Sequence, residues 1–153
     1  MKRSNRLTPV LELAETRERQ ATQKLGQSQH KLDMALRGLE NLHSLRLGYT
    51  ERFRQSGDQG LGARQLTEYR TFLNKINSAI LEQEKAIRQA EADLEKRRGD
   101  WEAARKHTLG IRKLVENALV EEARTQEKQV QAEMDERAGR RPFRDGGMLA
   151  VFL

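Results

Sequence analysis

The 153-residue chain is 34% charged and 36% hydrophobic, with two prolines and a net charge of +6, a balance that fits long solvated helices better than a compact globular domain. The lack of cysteine excludes thiol catalysis, disulfide frameworks and most structural zinc sites, and suits a reducing compartment. The opening residues hold no signal-peptide core, and no run approaches the roughly eighteen apolar residues of a membrane span, so a cytoplasmic protein with no membrane span is expected.

The basic balance, with a pI near 9.9, raises the question of phosphate binding. Basic residues are nevertheless mixed with acids along the chain, and no base-stacking aromatics are interleaved with them. That pattern describes the charged faces of a coiled coil, and no nucleic acid is expected as partner.

In chain order, a first helix is expected over about residues 6–54, with Thr8 as N-cap and Pro9 at the first helical position. Alternating steps of three and four give its seam: Leu11, Ala14, Glu18, Ala21, Leu25, Ser28, Leu32, Ala35, Leu39, Leu42, Arg46, Tyr49 and Phe53. Residues 55–62 follow, and Gly57, Gly60 and Gly62 mark a turn. A second helix is expected over about residues 63–137, its seam running Leu66, Tyr69, Leu73, Ile76, Ile80, Gln83, Ile87, Ala90, Leu94, Arg97, Trp101, Ala104, Thr108, Ile111, Val115 and Ala118. Only Gln83, Arg97 and Thr108 interrupt that stripe, and a 3.5-residue period held so long is the mark of a left-handed coiled coil. Gly139 and Pro142 are the expected stop, leaving 138–153 as a disordered tail.

The short turn forces the helices antiparallel. The fold class is therefore all-α: a two-helix antiparallel coiled-coil hairpin with a longer second helix, residues 1–137 forming one domain. Matching small with large residues and acid with base sets the expected register. Leu42 then faces Leu73, Leu39 faces Ile76, Ala35 faces Ile80, Ala21 faces Leu94 and Ala14 faces Trp101. The same register pairs Glu18 with Arg97 and lays Arg46 over Tyr69, with Glu15 opposite Arg98, Arg17 opposite Asp100 and Lys24 opposite Asp93. Sliding by one heptad would put Leu25 against Arg97 and lose these matches.

In this register helix one runs out opposite about Thr108, leaving roughly 45 Å of the second helix without a partner. The stripe Leu109, Ile111, Leu114, Val115, Ala118 and Leu119 would be left wet, which marks either self-association or insertion into another protein. Near the turn, Tyr49, Phe53, Tyr69 and Phe72 cluster. Phe72 lies off the seam opposite Leu45, and Gly38 faces Ala79 one step further on, so this flank either widens the core or docks a partner.

No catalytic constellation is legible. His30, His43 and His107 have no carboxylate or cysteine spaced for a metal site, and the glycines of the turn lack the lysine and flanking strand of a phosphate loop. No catalytic, cofactor-binding or metal-binding residue is assigned, no cofactor is expected, and an enzyme is not expected.

Leu13-Ala14-Glu15 near the start, Leu42 and Tyr49 before the turn, Gly60-Leu61 within it, then Leu66, Tyr69, Phe72-Leu73 and Ala79-Ile80 resemble the FliJ family of flagellar type III export, over about residues 7–137. The resemblance implies a coiled-coil stalk, like the central stalk of rotary ATPases, located peripherally at the inner-membrane flagellar export apparatus. It implies as partners the hexameric flagellar export ATPase, whose ring the end away from the turn enters, the cytoplasmic domain of the export-gate membrane protein, and export chaperones in a cycling role. Carried over by position, the implied gate surface is Gly38, Leu42, Leu45, Tyr49, Phe72, Ile76, Ala79 and Gln83. The implied ring surface is Leu7 and Leu11 with Leu109, Ile111, Leu114, Val115, Ala118 and Leu119. The alternative reading is a self-associating coiled-coil scaffold or a basic nucleic-acid-binding rod.

Overall fold

The computed structural model describes residues 2–57, 60 and 62–152, with side chains described through residue 139. Two helices make up the fold, α1 (Arg3–Gly57) and α2 (Ala63–Phe152), arranged as an antiparallel hairpin with the second helix longer. The chain divides into two units, one formed by Arg17–Arg105 and the other by Met1–Thr16 with Lys106–Leu153.

The Arg17–Arg105 unit contains the turn. Gly60 has φ +85, a left-handed conformation that favours glycine, and its N–H donates to the Gly57 carbonyl at 3.1 Å. Gly62 then starts α2: its carbonyl accepts from Leu66 N–H, and the Gln65 side chain reaches back to accept from Gly62 N–H at 3.2 Å. That is one half of a capping box, which satisfies a donor the helix itself leaves free. Asp58, Gln59 and Leu61 of the expected turn lie outside the described residues.

Above the turn, the core follows the heptad. Leu32, Ile87 and Leu94 form a buried cluster packed by Leu25, Ala35, Leu39 and Ala90, with Ile76 and Ile80 buried nearer the turn. The register is one heptad away from the expected one. Phe53, not Arg46, lies against Tyr69, with ring centroids 3.6 Å apart. Glu18 pairs with Arg105 at 3.8 Å in place of Arg97, which turns to Asp100 on its own helix. Arg46 bonds Asn77 instead of covering Tyr69, and the cation–π contact in this unit is Arg105 over Trp101.

The unit built from Met1–Thr16 and Lys106–Leu153 follows the same shift. Ala14 lies against Thr108, whose Oγ1 donates to the Ala14 carbonyl at 3.2 Å, and Glu15 pairs with Arg112 in place of Arg98. Thr108 is fully buried and Ala118 is 1% exposed.

Two physical terms select this arrangement. In the expected register the seam residues Thr108 and Gln83 would face Leu7 and Leu32, whose bulk keeps a side-chain donor away from the α1 backbone carbonyls. An unsatisfied buried polar group costs about 1–3 kcal/mol, more than the few tenths to about 1 kcal/mol of an exposed ion pair. The observed register sets both beside small residues, so Thr108 reaches the Ala14 carbonyl and Gln83 Nε2 reaches that of Ala35 at 2.8 Å. It also draws Ile111 and Ala118 out of water, at about 25 cal/mol per Å² of apolar surface.

The helix boundaries differ accordingly. α1 begins at Arg3, not near Thr8, and Pro9 lies inside it. Thr8 does not cap: its Oγ1 donates to the Ser4 carbonyl at 2.9 Å. The cap comes from the other helix, where the Glu122 carboxylate accepts from Ser4 N–H at 3.0 Å and from Ser4 Oγ at 2.8 Å. Helix one therefore runs out opposite Glu122, not opposite Thr108. α2 continues through Gly139 and Pro142 to Phe152, past the end expected near residue 137 and into the stretch expected as a disordered tail.

Ser4 holds the Glu122 carboxyl below its ordinary 4.5, first through its backbone N–H and then its hydroxyl, with the Lys2 charge assisting and desolvation opposing. A depressed folded value makes the contribution to folding complete above the ordinary value and lost as pH falls through the lowered one. A carbon-13 titration of the Glu122 carboxyl should show a midpoint below 4.5 that moves back up in Ser4→Ala. For the register, Ala14→Cys with Thr108→Cys should form a disulfide in the otherwise cysteine-free chain. Ala14→Cys with Trp101→Cys should not.

Candidate functional site

Two surfaces present what the seam leaves over. The first belongs to the Arg17–Arg105 unit. Tyr49 is its centre, with the Phe72 ring at 4.1 Å, tilted by 49°, and the Tyr69 ring stacked at 5.5 Å. Phe53 extends the stack on Tyr69, whose hydroxyl donates to Thr50 Oγ1 at 3.5 Å. Offset and tilted aromatic pairs contribute about 0.5–1.5 kcal/mol beyond their burial, so these four half-buried rings fix the shape of the flank. A shallow groove lined by Tyr49, Thr67, Glu68, Thr71, Phe72 and Lys75 opens beside them.

Of the positions expected on this flank, Leu45 is the most open at 44% exposed, and Gly38, Leu42, Tyr49, Phe72, Ala79 and Gln83 are half-buried. Ile76 is buried in the seam and supports the surface from beneath. Gly38 and Gln83 act as one feature. A Cβ at residue 38 would come within 2.7 Å of Gln83 Nε2, the atom that bonds the Ala35 carbonyl. Glycine at 38 is what lets that carboxamide lie across α1.

The second surface belongs to the unit of residues 1–16 and 106–153. Leu109, Leu114 and Leu119 are exposed, as are Val10, Leu13 and Val120. Leu7, Leu11 and Val115 are half-buried, and Ile111 and Ala118 are buried. The expected stripe is thus divided: its seam members pack against α1, and its off-seam leucines remain in water. Arg3 meets Glu121 at 4.0 Å beside the Ser4–Glu122 cap.

Leu47, 76% exposed, and Leu81, 62% exposed, were not singled out by the seam. They lie off it, and an isolated outward leucine carries no periodic signal. His43 Nδ1 lies 3.1 Å from Arg46 Nη2, and no group of three or more His, Cys, Asp or Glu side chains that could hold a metal occurs among the described residues. Among the described residues no helix is long and apolar enough to cross a membrane. What these surfaces offer chemically is apolar contact bordered by charge.

A family model described as Flagellar FliJ protein matches residues 2–147. No curated protein and no solved structure matches the chain. The matched span takes in both helices and the turn between them, and the chain belongs to the FliJ family of flagellar export proteins.

Proposed function

We propose that this protein couples the flagellar export ATPase to the export gate as a non-enzymatic stalk. The end away from the turn contacts the ATPase ring and promotes its assembly and activity, the aromatic flank near the turn contacts the cytoplasmic domain of the gate protein, and export chaperones exchange on the same scaffold. The observation that carries this reading is the set of off-seam leucines Leu109, Leu114 and Leu119, which stay exposed within a family of export components. Exposed apolar side chains of this kind lower the free energy of a docked state by leaving water.

The two ends call for different partner chemistry. Around Tyr49 and Phe72 the flank is aromatic, with Arg52, Lys75 and Glu68 at its borders, and suits an apolar surface edged by charges of both signs. At the other end aliphatic residues stand among Glu121, Glu122 and Arg112, and suit a mixed-charge collar.

Purified protein should raise ATPase turnover at low ATPase concentration, and Leu109→Asp combined with Leu114→Asp should abolish the effect. A full-length chain that gives no stimulation would refute the ring contact. At the other end, Leu45→Asp should weaken binding to the gate domain about tenfold while leaving helicity and unfolding unchanged. Ile76→Ala should instead lower stability by about 2–5 kcal/mol, as expected for a buried truncation, and affect binding only through folding.

A further inference from the structure

The first turns of α1 are attached in an unusual way. Residues 3–8 precede Pro9, which has no N–H to give the Asn5 carbonyl and whose ring crowds that same turn. Thr8 adds to the weakness, because its hydroxyl competes for the Ser4 carbonyl. Six residues ahead of such a break are too few to be a stable helix on their own. What holds them is α2: Glu122 caps Ser4 through both backbone and hydroxyl, Arg3 lies 4.0 Å from Glu121, and Lys2 adds its charge at Glu122.

Beneath this segment lies the seam of α2. The pairing of Ala14 with Thr108 continues along the seam to put Leu7 at Val115, one heptad on, and Ser4 at Ala118, three residues further, and Ser4 and Ala118 are both buried. Two residues expected to meet the ATPase ring, Ala118 fully and Val115 in part, are therefore covered by the chain's own N-terminal turns.

We propose that residues 3–8 are a releasable latch, hinged at Pro9 and clasped by Glu122, which covers Val115 and Ala118 when docked and uncovers them for the ring when released. The proposal rests on the ring-contact reading above and adds a closed state to it. The closed state lowers the fraction of chains competent to bind, so apparent affinity scales with the fraction released. Glu122→Ala removes the clasp. Pro9→Ala restores the missing hydrogen bond and removes the hinge.

The chain has no cysteine, so Val115→Cys provides a single reporter whose reaction with N-ethylmaleimide can be timed by mass spectrometry. Adding Glu122→Ala should speed that reaction roughly fivefold, the scale of losing one helix cap. Adding Pro9→Ala should slow it below the rate of Val115→Cys alone. In parallel, Glu122→Ala alone should bind the export ATPase about fivefold more tightly and Pro9→Ala more weakly. Equal labelling rates in the three backgrounds would overturn the latch, as would a Val115→Cys rate matching that of the exposed control Glu116→Cys. Faster labelling without tighter binding would overturn its gating of the ring. Binding of the wild-type chain, measured in the same series, separately decides whether the ring reading stands.

Discussion

The hairpin depends on two polar side chains in an apolar seam. Thr108 and Gln83 of α2 each donate to a backbone carbonyl of α1, and each can do so only where α1 presents a small residue. Leucine at either place would hold the helices apart and strand a buried donor. Alanine at 14 and 35, with glycine at 38, brings the carbonyl within reach. Heptad seams are nearly degenerate under a slip of seven residues, since leucine, isoleucine and alanine layers pack tolerably in several alignments. A donor that finds its acceptor in one alignment and none in the next is what breaks the degeneracy, at about 1–3 kcal/mol for each group left unsatisfied.

Once the register is set, the surfaces follow from arithmetic on the repeat. Two positions in seven face the partner helix, and an apolar residue elsewhere must lie on a flank or in water. Ile76, Ile111 and Ala118 occupy seam positions and are buried, whereas Leu45, Leu109, Leu114 and Leu119 lie off the seam and stay exposed. The distinction separates two kinds of residue that look alike in the sequence. A seam isoleucine holds the helices together, and its loss is felt as instability. An off-seam leucine contributes little to the fold and is available for contact.

Much of this was legible in the chain itself. The two unbroken heptads specify helices, the glycines at 57, 60 and 62 specify the reversal, and the aromatic positions around it fall together as their spacing requires. The register was not legible, because pairing rules compare side chain with side chain. The deciding contacts run from side chain to backbone, and the ion pairs of the expected alignment were individually too weak to compete. The start of α1 was missed for a related reason. Thr8-Pro9 is a sound local signal for a helix beginning, and it was overridden by a cap from a residue more than a hundred positions away. The division of the stripe from Leu109 to Leu119 into buried and exposed members follows directly from that slip in register.

Pro9 shows how such an override can be used. A proline inside a helix breaks a local rule, and departures of this kind persist where other contacts compensate. Here the compensation is external to the helix: a carboxylate on α2 accepts from the Ser4 N–H and hydroxyl and so ties down the turns that precede the proline, with few apolar contacts to reinforce it. Stability along a protein is not uniform, and segments held by a few polar contacts at an end open at lower free energy than those embedded in a core. Leu32, Ile87 and Leu94 form such a core in the unit that carries the turn, whereas residues 3–8 depend on Glu122, Glu121 and the half-covered Leu7. In the proposed latch the same seam is closed when residues 3–8 are docked and becomes contact surface when they are released, with no residue beyond those already in the heptad.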